Sequence, residues 1–146
     1  MTTEELVAEE KNTEEPTREE IREMTMHVIY QMESNRTFDL SQISVMDEDR
    51  SVLTSDRALR TLTALTEHIG EIDHILADNL DGWVVNRLPK ADLAILRLSI
   101  CEMLYMEDIP TAVSINEAVE LAKKYGEDKS YAFINSVLGK ISRSIG

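Results

Sequence analysis

Glu71-Ile72-Asp73-His74 sets a carboxylate and an imidazole three residues apart, the Glu-x-x-His element of carboxylate-bridged di-metal bundles. Such a centre needs a second copy and two more carboxylates from facing helices. The sequence holds no second copy, so the pair reads as a solvated helix face. His27, His68 and His74 are not at mutual i, i+4 spacing, which argues against zinc held along one helix. Cys101, the single cysteine, lies inside an apolar run and reads as a packed side chain. No histidine can be paired with it, or with a serine, from sequence alone. Gly-rich phosphate loops and Gly-x-Ser-x-Gly turns are absent as well. The residue types therefore predict no enzyme, no cofactor and no metal.

The elements that must position these residues are helical. With 146 residues the chain has the length of one domain, and a globular chain of that length buries about 68–70% of its unfolded surface. Five glycines and three prolines are too few for the many turns of an all-β fold, so the expectation is all-α. Thr17-Arg18-Glu19-Glu20 carries a capping-box pattern, and Ile21, Met24, Val28 and Met32 recur at helical spacing, predicting a helix from Thr17 to about Glu33. Residues 35–50 read as a loop with one short helix. Ser55-Asp56 caps a further helix that continues through Gly70 or kinks there, and Asp81-Gly82 ends it. Trp83, Val84 and Val85 start a short helical piece. Lys90 to Met106 is apolar on more than one stripe and predicts the central core helix. After Pro110, Ser114 and Glu117 suggest a second capping box, and Gly126 a left-handed stop. A last helix covers about Lys129 to Ser142, with Phe133, Ile134, Val137, Leu138 and Ile141 inward.

Charge divides the chain unevenly. The net charge of −13 opposes long-range attraction to a polyanion. Residues 1–23 hold nine glutamates against three basic residues, whereas residues 111–146 hold four acids against five bases. Residues 1–16 have only Leu6, Val7 and Ala8 as an apolar cluster and read as a disordered acidic tail, followed by a helical domain over 17–146. No stretch has the make-up of a signal sequence or the roughly 18 continuous apolar residues of a membrane span, so a cytoplasmic protein with no membrane partner is expected.

The run Asp92-Leu93-Ala94-Ile95-Leu96-Arg97-Leu98 leads through Ile109-Pro110 to Ile115-Asn116-Glu117-Ala118 and Leu121-Ala122-Lys123-Lys124. Phe133-Ile134-Asn135 with Val137-Leu138 follows. This order and spacing resemble the transcription antitermination factor NusB family, over roughly Thr17 to Ser142. The resemblance implies an all-helical fold of two small packed bundles. It also implies binding of boxA-type single-stranded RNA together with the NusE ribosomal protein, within an antitermination complex on RNA polymerase that supports ribosomal RNA transcription.

It implies site residues too. Arg18 and Arg22 match an arginine-rich patch that meets RNA phosphates, while Glu19 and Glu20 stand where similar proteins often carry arginine. For Arg18 and Arg22 an i, i+4 pairing with nearby glutamates stays open beside that role. Lys129 occupies a position where the family often has an acid. With Lys123, Lys124 and Ser130 near a helix start, it can offer phosphate a basic patch and free backbone N–H groups. Phe133 resembles a position near the RNA and either stacks on a base or packs in the core. The partner face implied by the family contains Tyr30 and Asp92, the latter also readable as a helix N-terminal charge.

Two alternatives remain at this point. One is a protein-interaction module, partner-binding or homodimerising, that has lost most RNA affinity. The other is a methyltransferase, since NusB-like domains precede some ribosomal RNA methyltransferase domains, but no cofactor-binding βαβ segment is present to supply one.

Overall fold

Thr17 keeps an extended backbone while its side chain accepts a hydrogen bond from the Glu20 N–H (3.1 Å), and helix α1 follows as Arg18–Ser34. The computed structural model describes residues 16–42 and 55–145. The acidic tail before Pro16, and the reading of Ile43, Val45 and Asp47-Glu48-Asp49 as loop, lie outside the described residues. Helix α1 closes with Arg36 in the left-handed region (φ 55°), with Arg36 N–H on Glu33 O (3.2 Å) and Thr37 N–H on Met32 O (2.9 Å). Glycine is the usual residue there, and a side chain in that conformation costs roughly 1–2 kcal/mol. A single 3-10 turn, Leu40–Gln42, follows.

Ser55 caps α2, Asp56–Glu67, by accepting from the Ala58 N–H (3.2 Å), as its position predicts. The helical path then breaks at His68 rather than at Gly70, and α3 runs Ile69–Asp78. The cause is tertiary: the His68 ring stacks on Tyr105 (centroids 4.2 Å apart), while Gly70 sits within the first turn of α3. Helix α3 ends at Asp78, earlier than Asp81-Gly82 suggested, and Gly82 supplies the positive φ (79°) of the following turn. A 3-10 turn, Val85–Arg87, leads to Pro89.

Helix α4, Lys90–Tyr105, is buried without interruption from Asp92 to Glu102, as a helix surrounded by others must be. Helices α5 (Thr111–Tyr125) and α6 (Ser130–Ile145) complete the chain. All five other helices touch α4, so α1–α3 and the α5–α6 hairpin meet on it in one continuous apolar core. Among the described residues no helix is long and apolar enough to cross a membrane.

Two local readings are corrected. Helix α5 starts at Thr111 behind Pro110, so Ser114 is not a cap: it is buried inside the helix, and its carbonyl accepts from Ser99 Oγ of α4 (3.3 Å). Its side chain is small because α4 passes there. Gly126 is extended (φ −89°, ψ 178°) rather than left-handed. It is glycine because a Cβ would stand 2.5 Å from Ser130 Cβ and 2.7 Å from Ala122 O, at the α5–α6 corner.

Three charged residues cross the buried span of α4, and each is met from another helix. Arg97 makes a bidentate pair with Asp73 of α3 (2.9 and 2.8 Å), binds Glu33 of α1 (2.8 Å), and lies over the Phe38 ring (4.9 Å). Burial works against its charge, and the hydrogen bonds it donates to Asp73 and Glu33 more than reverse this, holding the guanidinium above its ordinary value. Glu102 accepts from Arg22 of α1 and Asp92 from Ser130 of α6.

Candidate nucleic-acid interface

Of the cations singled out in the sequence, Arg22, Lys123, Lys124 and Lys129 line two grooves. The first lies between α1 and α5, has a volume of about 500 Å³, and is lined by Arg22, Lys123 and Lys124 together with Glu19, Glu23, Glu117 and Glu120. Its bases are matched with its acids. Arg22, only 9% exposed, binds Glu102 (3.0 Å) and approaches Glu117 (3.7 Å). Lys124 holds Glu23 (2.7 Å), and Lys123 meets Glu120 (3.4 Å). The Tyr125 hydroxyl also donates to Glu23, and the His27 ring packs edge-on against Tyr125. Hydrogen bonds from Lys124 and then Tyr125 hold the Glu23 carboxyl below its ordinary value, so it stays charged beside them.

Beneath this groove burial pushes the Glu102 carboxyl up, and Arg22 pulls it part of the way back. The Ser114 hydroxyl is close enough to contribute to that pull, yet Glu102 Oε1 and Ser114 Oγ make no hydrogen bond of ordinary geometry. Arg22 is thus committed to a buried carboxylate. Removing one partner of such a pair leaves the other charge stranded, at a cost of about 3–5 kcal/mol.

The second groove lies where the N-terminal ends of α4 and α6 meet. It has a volume of about 200 Å³, with Leu88, Pro89 and Asp92 on the α4 side and Lys129, Ser130 and Phe133 on the α6 side. Trp83 and Glu127 complete its wall. The local sequence explains the corner: Gly126 allows close approach, and Ser130 Oγ accepts from the Glu127 N–H (3.0 Å) while donating to Asp92 Oδ2 (3.2 Å). Asp92 is 4% exposed, and its Oδ1 has no partner. Burial raises its pKa, opposed by Ser130 and reinforced by the nearby charge of Glu127. Lys129 is exposed and makes no ion pair among the described residues. Two helix N-termini at this groove add their partial positive charge.

The structure therefore brings Lys129, Ser130, Phe133 and Asp92 together and puts Arg22 in the other groove. Arg18, at the start of α1, is exposed and has no ion pair among the described residues; Glu14, the glutamate four residues before it, lies outside them. Arg22 turns inward because its carboxylate partners come from α4 and α5, distant in sequence. Asp92 is likewise turned inward, away from the surface position expected of a partner contact, whereas Tyr30 stays exposed on α1 and lines neither groove. Glu71 accepts from the Tyr105 hydroxyl (2.8 Å), and His74 Nε2 lies 3.4 Å from Asp78, so the Glu-x-x-His pair serves the helix surface.

Sequence reasoning missed Trp83 as a site residue. It is 56% exposed, packs against Phe133 (centroids 6.0 Å, 57° between planes), and also walls a third groove of about 620 Å³ with Phe38, Val84 and Arg97. Its signal was present: a lone tryptophan directly after a turn glycine. Arg87 and Lys90, chain neighbours of Leu88 and Pro89, were missed too; both are exposed without an ion pair among the described residues.

The NusB family model matches residues 19–143. This chain belongs to the NusB family. It is 40% identical over 130 residues to the transcription antitermination protein NusB of Agathobacter rectalis, covering 86% of this chain and 99% of that one. Among solved structures it is similar to NusB of T. maritima, with a TM-score of 0.76 and 32% identity over 89% of this chain and 93% of the other. The fold is also shared, at 24% identity and a TM-score of 0.75, by a chain in the crystal structure of antitermination factors NusB and NusE with dsRNA; it covers 87% of this chain and 96% of that one. Within this NusB-family chain, the segments that carried the resemblance lie in α4, α5 and α6, and contribute Asp92 and Phe133 to the Lys129 groove.

Proposed function

We propose that this protein is a transcription antitermination factor, a non-catalytic adaptor that binds boxA-type single-stranded RNA together with the NusE ribosomal protein. The observation that carries the RNA reading is the groove between α4 and α6, where Lys129, which makes no ion pair among the described residues, two helix N-termini and the partly exposed Phe133 converge. Phosphate suits the lysine and the backbone N–H groups, and an unstacked base suits the aromatic ring. Arg18 is a second candidate phosphate contact, while Arg22 acts by fixing α1 onto α4. The acidic exterior favours a basic ribosomal partner, with Tyr30 as an exposed aromatic on the face offered to it. Asp92 belongs to the RNA groove in this reading rather than to the partner face. The complex operates on RNA polymerase during ribosomal RNA transcription.

With two phosphate contacts to a single strand, the log–log salt slope is about −1.4, at roughly 0.7 per contact. Affinity for RNA alone is accordingly modest and rises when the ribosomal partner is present. Titrating labelled boxA RNA with and without that partner, at several salt concentrations, tests the reading. Saturable, salt-sensitive binding is expected; its absence in both titrations eliminates an RNA function.

A second reading, an interaction module that has lost most of its RNA affinity, draws on one observation. The α1–α5 groove spends its three cations internally, and Glu19 and Glu20 are exposed beside Arg18. Partner capture by the ribosomal protein, with RNA binding indifferent to charge reversal at Arg18 and Lys129, would favour it.

A further inference from the structure

The Lys129 groove holds more than a cation and a ring. Asp92 is buried to 4% exposure, donates nothing when ionised, and has one oxygen occupied by Ser130 and the other without a partner. A buried acceptor left open is costly; Asp92 lines the cavity while its Oδ1 is screened from solvent, so a donor reaches that oxygen only as the wall moves aside. The cavity, about 200 Å³, falls below the roughly 300–1,000 Å³ of sites for drug-sized ligands, which suits one planar ring system. Its aromatic side is made by Trp83 and Phe133, which touch each other across a tilted contact. Trp83 is more than half exposed and sits on the loop between α3 and α4, so it is the wall that can turn aside.

We propose that this groove is a pocket for one unstacked nucleobase, with Trp83 and Phe133 as stacking walls and Asp92 as the acceptor that selects a base with an N–H edge. The inference rests on the RNA reading of the same groove and adds to it a base preference and a second aromatic residue. Guanine fits first, because N1–H and the N2 amino group are the adjacent donor pair on its Watson–Crick edge. Cytosine and adenine present one amino group beside a ring acceptor, and uracil flanks its single N–H with two carbonyls that a carboxylate repels. Stacking tolerates any base, so the discrimination falls to Asp92. An arginine side chain from a protein partner would also stack and donate, and Asp92 and Glu127 would draw it in; a nucleotide is preferred because its phosphate also gives Lys129 on the rim a partner.

Trp83 is the only tryptophan, so its fluorescence reports on the pocket directly. The full chain is titrated with labelled single-stranded oligonucleotides that differ at one position, guanosine against inosine and uridine, reading RNA anisotropy and tryptophan emission together. The guanosine strand is expected to bind tightest and to change Trp83 emission, with uridine about tenfold weaker and inosine between them. Trp83→Ala, an exposed change, lowers affinity about tenfold for all strands. Asp92→Ala removes the preference while binding persists; thermal melting establishes that this variant is folded, and the Trp83→Ala result decides the pocket if it is not. Salt-sensitive RNA binding with no change in Trp83 emission and no base preference overturns the pocket and leaves the RNA reading standing. No RNA binding at all overturns both, and a Trp83 response to an arginine-containing peptide but not to RNA assigns the groove to a protein and overturns the inference.

Discussion

The two grooves differ in what their cations do. Between α1 and α5, Arg22, Lys123 and Lys124 each face a carboxylate, and the deepest pair extends into the core. Between α4 and α6, Lys129 faces no acid in an ion pair among the described residues, and the unpaired group there is the buried acceptor Asp92. In the first groove Arg22 and Lys124 tie α1 to α4 and α5, while Lys123 pairs within α5. The second is open and has capacity for a ligand. A count of basic residues would have ranked them in the opposite order, because it ignores the neighbour that each charge already serves.

The largest effect should come from breaking the closed groove. Arg22→Met strands Glu102 and is expected to cost about 3–5 kcal/mol in urea unfolding near neutral pH. Glu102 already has a folded pKa above its ordinary 4.5. A raised carboxyl contributes stability that is full below 4.5 and lost as pH rises through the folded value. The deficit of the variant should therefore be larger at pH 8 than at pH 5, and a pH-independent deficit would show that Glu102 is not the stranded group.

A smaller effect should follow from crowding the open groove. In Gly126→Ala the new Cβ meets Ser130 at 2.5 Å, so Ser130 must shift and Asp92 loses its donor. A loss of about 1–3 kcal/mol is expected from the overpacking, checked by thermal and urea unfolding. RNA affinity should fall with it, since the same corner carries Lys129; unaltered affinity would separate the corner from the site. Glu19→Arg with Glu20→Arg sharpens the comparison from the other side. These residues are exposed in the first turn of α1, where two cations oppose the helix dipole, so the double change should cost about 1–2 kcal/mol while the helix stays folded. The salt slope of RNA binding should steepen by up to about 1.4, and an unchanged slope would place the start of α1 away from the strand.

The elements readable in the sequence were those set by nearby residues. Thr17 and Ser55 cap helices because the N–H groups they bind are three residues away, and α4 announces its central place by being apolar on more than one stripe. Ser114-x-x-Glu117 misled because a small polar residue at a helix crossing has the same appearance as a cap. His68, not Gly70, breaks α2 from α3 because Tyr105 stacks on it. The site was legible in part: Lys129, Ser130 and Phe133 share one groove, close in sequence across the start of α6. Arg22 and Asp92 could not be oriented, since Glu102 lies 80 residues from the one and Ser130 lies 38 residues from the other. Trp83 escaped because its exposure depends on what does not pack over it.

We propose that RNA is held by the groove between α4 and α6 and not by the one between α1 and α5. Binding of labelled boxA RNA across a salt series, for Lys129→Gln and for the double variant Lys123→Gln with Lys124→Gln, tests it most directly. Lys129→Gln should weaken binding and flatten the salt slope by about 0.7, while the double variant keeps both affinity and slope. Loss of affinity confined to the double variant would contradict the account.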